Sequence, residues 1–208
     1  MLWEVDPWDI ESAIRGAMKS STIVSHGVCL HVIKKKWYGE IEFGRVISMA
    51  SNRNHMFESG EFVSKNVEPI ADVQIQPNGV DLTLCCVFIQ TGKGRIEKGG
   101  KEIGDREEVE AKNGKYKLKP GGYIIRYFET VSIPEGNVGF IYPRSSMLRN
   151  SCMVNTAVWD SGYKGKGESF MQVYREIEIE KGARVAQIIF ARGENSGVYA
   201  GGYQGENL

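Results

Sequence analysis

The sequence predicts an all-β chain, folded as a distorted barrel or jelly roll, from its turn residues and its short apolar runs. Glycine (25) far exceeds proline (6), and the glycines separate short runs rich in Val, Ile, Tyr and Phe. In residues 176–180, glutamate and isoleucine alternate as in a strand with one buried face. From about Pro120 onward nearly every run has this form, so a rolled sheet is expected rather than alternating strands and helices.

The first 55 residues carry the clearest helix pattern and are predicted to form an extension before the barrel. Asp9 can cap a helix that runs to about Met18 and places apolar side chains on one face. Residues 23–49 indicate strands but contain no motif that points to a role. Three interpretations stay open: the extension packs against the barrel, contacts a partner, or reflects a start codon placed too early.

Residues 56–201 are predicted to form the barrel domain, and residues 202–208 a short tail. Within the barrel, residues 92–114 are charged and rich in glycine, which indicates a solvated excursion between strands. An anion-binding loop is the alternative interpretation. The mixed signs of the charges argue against it.

Composition excludes several classes of function. Lysine plus arginine (26) equals aspartate plus glutamate (26), so net charge alone attracts neither a nucleic acid polymer nor an anionic membrane. The four cysteines have no CxxC spacing, which argues against zinc and favours reduced thiols; they are Cys29, Cys85, Cys86 and Cys152. No apolar run reaches the ~18 residues of a membrane span, and acids stand where a signal peptide has basic residues, so a cytoplasmic protein is expected.

Five segments marked by glycine or proline combine residue types that suit a nucleotide. They are residues 76–81, 143–146, 156–165, 182–187 and 202–205. In the second segment, Arg144 offers a planar fork of donors for a phosphate, and Ser145 and Ser146 add hydroxyl donors in a tight turn. Taken alone, such a turn is also typical of a capped surface loop.

The third segment contains the candidate base, Asp160, at the end of an apolar run and before Ser161 and Gly162. A carboxylate held there can orient and deprotonate a water molecule. Tyr163 can lay its ring against a sugar and leave no room for a 2′-hydroxyl group. The structural alternatives are an Asx turn for Asp160 and core packing for Tyr163.

In their order and their residues, the five segments resemble the motifs of the trimeric dUTPase and dCTP deaminase superfamily. Within it, the archaeal dUTPases are the most similar branch. The resemblance covers roughly residues 74–208, and its most specific parts are TAVWDSGYKGKGE, PRSSMLR and YQGE. It implies a distorted barrel of the dUTPase-like β-clip type. It also implies a nucleotide pyrophosphohydrolase that converts dUTP and water to dUMP and pyrophosphate.

The resemblance implies catalytic roles position by position. Asp160 matches the acid that activates water, and Gln187 matches the glutamine on the phosphate side. Arg144 matches the arginine that grips the triphosphate. Asp81 matches the acid that lies near the hydrated magnesium ion and contacts it through water.

The implied substrate-binding residues fall into three groups. Ser145, Ser146 and Arg149 belong to the phosphate grip, and Tyr163 stacks on the deoxyribose. Backbone groups read the pyrimidine edge at Asn155, Thr156, Ala157 and Val158. The closing segment, whose aromatic ring covers the base, corresponds to Tyr203, Gln204 and Gly205, and a mobile, glycine-rich end suits such a lid. Ordinary terminal disorder is the alternative for this tail.

The implied mechanism is attack of the Asp160-activated water on the α-phosphorus. Mg²⁺ chelated by the triphosphate neutralises charge and positions the leaving pyrophosphate. Family members build each pocket from three subunits, so the resemblance also implies a homotrimer with shared active sites.

A dCTP deaminase, or a bifunctional deaminase and dUTPase, is the first alternative. Ser145 and Arg149 fit the deaminase pattern. The deaminase glutamate lies ten residues after the aspartate of the third motif, where this chain has Phe170. The third motif also has one residue fewer than deaminases between its alanine and its aspartate. Both departures favour hydrolysis without deamination.

Glu168 complicates this comparison, because it is a carboxylate two residues before Phe170. In an extended strand the two side chains share one face. A bulge at Gly165 or Gly167 could move Glu168 into the deaminase position. A non-catalytic nucleotide-binding regulator is the second alternative, since fold does not fix function. The combination of Asp160, Arg144 and Tyr163 argues against it.

Overall fold

The computed structural model describes residues 22–25, 28–31 and 55–208. In the first part of the chain, strands β1 (Thr22–Ser25) and β2 (Val28–His31) pair antiparallel. The helix predicted after Asp9 lies outside the described residues. Internal packing divides the chain between Asn54 and His55, and the second unit, His55–Leu208, is described throughout.

The second unit consists mainly of strands. Its strands are β3 (Val67–Glu68), β4 (Ile75–Gln76), β5 (Gly79–Gln90), β6 (Arg95–Glu97), β7 (Gly100–Glu102), β8 (Arg106–Glu108), β9 (Lys115–Leu118), β10 (Gly121–Tyr127), β11 (Thr130–Ser132), β12 (Asn137–Pro143), β13 (Cys152–Asn155), β14 (Lys164–Gly165), β15 (Glu168–Val173), β16 (Ile177–Glu180) and β17 (Arg184–Arg192). Its helices are α1 (Gly60–Ser64), a 3-10 turn (Asp72–Gln74) and α2 (Ser145–Arg149).

Eight of these strands form one antiparallel sheet. Its main path runs β12-β17-β5-β10-β15-β13, and β4 and β8 pair with β5 outside that path. Strands β14-β11-β3 form a second sheet, and β16-β9 and β6-β7 form two-stranded ribbons. The large sheet is nearly closed and barrel-like. The prediction of an all-β barrel is therefore confirmed.

The core follows from alternation along the central strands. On β10, Tyr123, Ile125 and Tyr127 point inward, while the residues between them are partly exposed. On β15, Met171 is fully buried opposite Tyr123. Full burial of such a side chain stabilises the fold by roughly 1.5–3 kcal/mol. The inward residues of the antiparallel strands thus hold the sheet in one register.

Helix α1 was not predicted from the sequence, because five residues are too few to show helical periodicity. The Ser59 side chain caps it by accepting a hydrogen bond from the Phe62 amide. Gly60 packs so closely on the turn before β5 that a Cβ there would lie 1.7 Å from the Gln76 carbonyl oxygen. The helix therefore supports the turn that leads into β5.

The charged excursion is an exposed hairpin followed by a return to the sheet. Strands β6 and β7 pair with each other and are exposed along their whole length, as a solvated excursion predicts. Strand β8 then pairs with the end of β5, with Arg106 opposite Gln90. The excursion therefore rejoins the sheet at Arg106.

Two further observations bear on the class of protein. Among the described residues, no helix is long and apolar enough to cross a membrane. Cys85, Cys86 and Cys152 carry free thiols.

Candidate functional site

Strand register brings together the acid and the arginine predicted on the phosphate side. Asp81 on β5 pairs with Gln187 on β17, and Gln187 pairs in turn with Tyr142 on β12. The Arg144 guanidinium (Nε) lies 3.1 Å from Asp81 Oδ2, and Arg184 Nη1 lies 3.1 Å from the same oxygen. We call Asp81, Arg144, Arg184 and Gln187 the strand cluster.

Asp81 is the buried centre of the strand cluster, with 1% of its surface exposed. Burial raises the pKa of its carboxyl group, and the positive charges of Arg144 and Arg184 oppose that effect. Arg184 also donates to the Val73 carbonyl oxygen at 2.6 Å, so its guanidinium is fixed from two sides. Asp81 therefore orients two guanidinium groups that stay partly exposed.

The serines predicted for the phosphate grip follow directly after Arg144. Arg144 is the N-cap residue of α2, and Ser145 and Ser146 are exposed in its first turn. Arg149 is exposed at the end of the helix. Met147 is buried and anchors the helix to the core. The polar groups of α2 are thus available to solvent or to a ligand.

A cavity of about 760 Å³ lies on another part of the unit. The predicted site residues that line it are Asn155, Thr156, Ala157, Val158, Asp160, Tyr163, Glu168 and Tyr203. The predicted residues outside its lining are Asp81, Arg144, Ser145, Ser146, Arg149, Gln187, Gln204 and Gly205. One chain therefore presents two groups of predicted site residues, one that lines the cavity and one that does not. We call the first group, with Glu206, the cavity wall.

The loop of the cavity wall is held by Trp159. This side chain is buried, its backbone pairs with Gly139, and its indole Nε1 donates to Thr156 Oγ1 at 3.0 Å. The next turn is closed by the Asp160 carbonyl oxygen, which accepts from the Tyr163 amide at 3.1 Å. The backbone rather than the Asp160 carboxylate closes this turn. The exposed carboxylate thus stands at the edge of the cavity.

Tyr163 is packed among aromatic rings, with 6% of its surface exposed. Its ring makes edge contacts with Trp159 at 5.0 Å and with Tyr199 at 5.8 Å between centroids. Its hydroxyl donates to Glu206 Oε1 at 2.8 Å. Burial, and then the hydrogen bond to Glu206, raise the pKa of the phenol, so it remains protonated at neutral pH.

Glu168 lies in the cavity wall between two arginines. Its Oε1 accepts from Arg126 Nε at 3.0 Å and Nη2 at 2.8 Å, and its Oε2 accepts from Arg106. Both guanidinium groups lie over the Phe88 ring, at 4.5 Å for Arg106 and 5.0 Å for Arg126. Both carboxylate oxygens are therefore held by charge-assisted hydrogen bonds.

The strand that carries Glu168 is regular. On β15, Glu168 and Phe170 face one side while Ser169 and Met171 are buried on the other, which confirms the shared face expected from the sequence. The register of β15 with β10 runs without a shift from Glu168 to Val173. Any bulge that moved Glu168 relative to Phe170 is thus excluded within the strand.

The C-terminal tail lies along the loop at residues 162–166. Gln204 Nε2 donates to the Gly162 carbonyl oxygen at 3.0 Å, and the Gly205 amide donates to the Lys164 carbonyl oxygen at 2.8 Å. Tyr203 lines the cavity, and Lys101 Nζ of the charged excursion lies 3.9 Å from its ring centroid. In the structure the tail closes one side of the cavity.

Three residues of these groups were missed by sequence reasoning. Arg184 stands in the same segment as Gln187, but only the fold brings it to Asp81. Arg106 was hidden by the mixed charges of the excursion, and Glu206 was read as part of the YQGE segment without a role of its own. The side chains that they contact lie far away in the sequence, so local sequence patterns did not indicate that these residues belong to the site.

The described residues do not form a metal site of their own. Among residues 55–208, no three His, Cys, Asp or Glu side chains lie close enough together to hold a metal ion. Asp81 already binds two guanidinium groups. A divalent cation at the strand cluster would therefore need most of its ligands from a substrate and from water.

Comparison with known proteins gives consistent matches over this unit. A family model described as dCTP deaminase-like matches residues 50–193. The chain is 52% identical over 157 residues to a Halobacterium salinarum protein named probable deoxyuridine 5′-triphosphate nucleotidohydrolase, covering 73% of this chain and 95% of the relative. It is 38% identical over 152 residues to the Methanocaldococcus jannaschii deoxyuridine 5′-triphosphate nucleotidohydrolase, covering 70% and 97%.

A solved structure shares the fold. The 2′-deoxycytidine 5′-triphosphate deaminase from Agrobacterium tumefaciens superposes with a TM-score of 0.52 at 20% identity. The match covers 68% of this chain and 49% of that chain. At this identity the likeness concerns the fold alone.

Proposed function

The chain belongs to the dCTP deaminase-like family, and from that premise and the geometry of the site we propose that it hydrolyses dUTP to dUMP and pyrophosphate. One observation carries the proposal. Asp160, Tyr163 and the exposed backbone around Ala157 line a single cavity of about 760 Å³, a size suited to a small-molecule ligand. Two relatives named for dUTP hydrolysis support the substrate.

Backbone groups of the cavity wall select the base in this proposal. Strand β13 ends at Asn155, and residues 156–158 belong to no strand. Their N–H and C=O groups are thus free of strand pairing and can meet a polar edge. Uracil offers a carbonyl acceptor at C4 and an N–H donor at N3, whereas cytosine reverses both. Tyr163 packs against the deoxyribose and excludes a 2′-hydroxyl group.

The strand cluster and α2 bind the phosphates. Asp81 fixes Arg144, whose forked donors suit phosphate oxygens, and Gln187 on the neighbouring strand adds an amide donor. Ser145, Ser146 and Arg149 extend this surface from the exposed side of α2. The tail residues Tyr203, Gln204 and Gly205 close over the base side.

More than one chain contributes to each site in this proposal, because the strand cluster does not line the cavity of its own chain. We therefore assign a homotrimer, in which the cavity wall of one subunit faces the strand cluster of another. A closed ring of this kind repeats the same composite site at each interface. The barrel at residues 56–201 builds both faces, and residues 202–208 form the lid. We place this enzyme in the cytoplasm, without a nucleic acid polymer or a membrane as partner.

Magnesium is the cofactor that fits this arrangement. Mg²⁺ is bound through one or two carboxylates, water and substrate phosphates, and Asp81 is the carboxylate on the phosphate side. Because Asp81 is paired with Arg144 and Arg184, it would hold the ion through water. When bound, the ion neutralises charge on the triphosphate and on the leaving pyrophosphate.

Hydrolysis proceeds by in-line displacement. Asp160 accepts a proton from a water molecule, whose oxygen forms a bond to the α-phosphorus. The bond from the α-phosphorus to the bridging oxygen breaks, and pyrophosphate leaves with that electron pair. Arg144 and Gln187 donate hydrogen bonds to the phosphate oxygens as negative charge shifts toward the leaving group.

A deaminase is the second candidate, because Glu168 is a carboxylate in the cavity wall. Both of its oxygens already accept hydrogen bonds from Arg106 and Arg126, which leaves the carboxylate poorly placed to contact a substrate. Phe170 stands where a deaminase has its glutamate. A non-catalytic regulator would bind nucleotide without turnover.

The variant Asp160→Asn tests the mechanism. Because it keeps the shape and removes the base, we expect turnover to fall by at least about 10³-fold, with nucleotide binding within about tenfold. Steady-state kinetics and calorimetry measure the two effects. Asp72→Asn, at an exposed aspartate in the 3-10 turn, is the matched control. Full activity of Asp160→Asn would exclude Asp160 as the base, and binding without turnover by the unmodified chain would favour the regulator.

A further inference from the structure

We propose that Glu206 is a positioning residue that latches the C-terminal tail to Tyr163 and so couples closure of the cavity to the placement of the sugar-facing ring. Its effect on turnover rests on the proposed function, whereas its effect on docking of the tail does not.

The latch is a direct bond between two side chains. The Tyr163 hydroxyl donates to Glu206 Oε1 at 2.8 Å. The other bonds of residues 203–207 to the loop at 162–166 use a backbone group on at least one side. They include Lys164 N to Gln204 Oε1 at 3.1 Å and Asn207 Nδ2 to the Lys166 carbonyl oxygen at 2.9 Å. Backbone bonds hold the tail in place, and the Tyr163–Glu206 bond alone joins it to a predicted substrate residue.

The loop beneath the tail is shaped to admit this bond. A Cβ on Gly165 would lie 2.6 Å from the Tyr163 hydroxyl oxygen and 3.2 Å from Glu206 Cγ. A Cβ on Gly167 would lie 3.1 Å from the same hydroxyl and 2.3 Å from the Trp159 ring. Both positions therefore leave no space for a side chain. The glycines of the segment KGKG make room for the phenol and for the incoming carboxylate.

The latch also fixes the orientation of Tyr163. Trp159 and Tyr199 contact two edges of its ring, and Glu206 holds its hydroxyl end. The Tyr199 amide is itself bonded to the Ser161 carbonyl oxygen at 2.7 Å. When the tail leaves, the ring loses the partner of its only polar group. Tail docking and the position of Tyr163 are therefore one coupled event.

The electrostatic surroundings support a specific docking position for Glu206. Burial raises the pKa of its carboxyl group, and the charge of Glu168 raises it further. The hydrogen bond from Tyr163 and the charges of Arg126 and Arg106 oppose these effects. A partly buried carboxyl group is stabilised by such partners. Tyr163 is the partner in direct contact.

A double-mutant cycle tests the latch in the full-length protein without nucleotide. Tyr163→Phe keeps the ring and removes only the hydroxyl, and Glu206→Ala removes the acceptor. Hydrogen exchange at the Lys164, Lys166 and Gly205 amides reports docking, because these amides bond across the loop and the tail. We expect each variant to speed exchange about fivefold, the change that one such hydrogen bond supports. The double variant should exchange no faster than either single variant.

Two further variants complete the test. Glu206→Gln keeps an acceptor oxygen and should restore at least half of the protection lost in Glu206→Ala. Glu194→Ala, at an exposed glutamate earlier in the C-terminal segment, should leave exchange unchanged. Additive effects of the two single variants, or unchanged exchange in Glu206→Ala, would overturn the latch.

Activity separates this inference from the proposed function. In an active enzyme, Glu206→Ala and Tyr163→Phe should lower kcat/KM for dUTP by the same factor, and the double variant should add nothing. If the chain does not hydrolyse dUTP but the hydrogen-exchange effects of the two variants remain non-additive, the proposed function is wrong and the latch stands. If the chain hydrolyses dUTP but the two variants have additive effects on both hydrogen exchange and kcat/KM, the latch is wrong and the proposed function stands.

Discussion

The strand cluster and the cavity wall are built in different ways, although both belong to one unit. The cluster stands on β5 and β17 and at the end of β12, where backbone pairing fixes each position, and Asp81 binds both guanidinium groups. The wall consists of a loop, one end of β15 and a tail held by a small set of hydrogen bonds.

The difference distinguishes a group of residues fixed by strand pairing from a group that includes a tail held by few hydrogen bonds. Hydrogen bonds between strands with buried side chains break only when large parts of the fold unfold. The hydrogen bonds of a tail with an exposed backbone break at a small cost in free energy. Phosphate groups need hydrogen-bond donors at fixed positions, because a displaced donor stabilises much less of the charge that develops on the phosphate oxygens. A base must enter and leave, which requires a wall that opens. The rigid cluster suits the first task, and the wall suits the second.

Within the strand cluster, removal of the fixed phosphate donor Arg144 should have a large effect. Arg144→Ala should lower kcat/KM for dUTP by at least about 10²-fold, because a fixed phosphate donor is lost. Arg144→Lys keeps the charge but not the fork and should recover part of this loss. The exposed Arg175→Ala is the control. Kinetics of Arg144→Ala equal to those of the unmodified protein would remove Arg144 from the site.

Mixing two inactive variants tests whether the cluster and the wall come from different chains. Arg144→Ala and Asp160→Asn protomers, unfolded and refolded together, should regain activity in about a quarter of the composite sites. Sites within one chain would recover nothing, since every chain then carries a defect. Mass measurement of the refolded assembly checks that it is a trimer.

Deletion of the C-terminal tail should have a smaller effect on the catalytic rate and almost no effect on stability. Deleting residues 202–208 should lower kcat by about tenfold or more, because the wall no longer closes. Tm should change by less than about 2 °C, since the deleted residues lie outside the core. Deletion of the exposed Leu208 alone is the control. An unchanged kcat in the longer deletion would refute the lid.

The smallest expected effect is the pH dependence of tail docking. The pKa of Glu206 is raised by burial in the docked state and returns to its ordinary range when the tail is free. Docking is then strongest below the ordinary glutamate pKa and weakens as pH rises through the raised value. Protection of the tail amides should fall by a few-fold over that window, after correction for intrinsic exchange. In Glu206→Gln the same profile should be flat, and a slope equal to that of the unmodified chain would exclude Glu206 as its source.

The sequence was sufficient where function and fold depend on local patterns. Alternation in residues 176–180 and the glycine-marked turns predicted the β fold, and strand β16 occupies Ile177–Glu180. The structure places Asp160, Tyr163 and Tyr203 in one cavity, and their roles toward the base and the sugar stay predictions.

Contacts between residues far apart in the sequence could not be predicted, because they depend on the register of strand pairing. Arg126 meets Glu168 only because β10 and β15 pair in one register, across 42 positions of sequence. Arg184 reaches Asp81 across 103 positions through the pairing of β17 with β5. The roles of residues 1–55 lie outside what either the motifs or the described residues address.

The most direct test of the account is a parallel assay of the purified chain with magnesium against dUTP and dCTP, following pyrophosphate and the identity of the base together. We predict dUMP and pyrophosphate from dUTP and no uracil nucleotide from dCTP. Formation of dUTP or dUMP from dCTP would contradict it. Such a result would assign the deaminase role to Glu168 despite its two arginine partners.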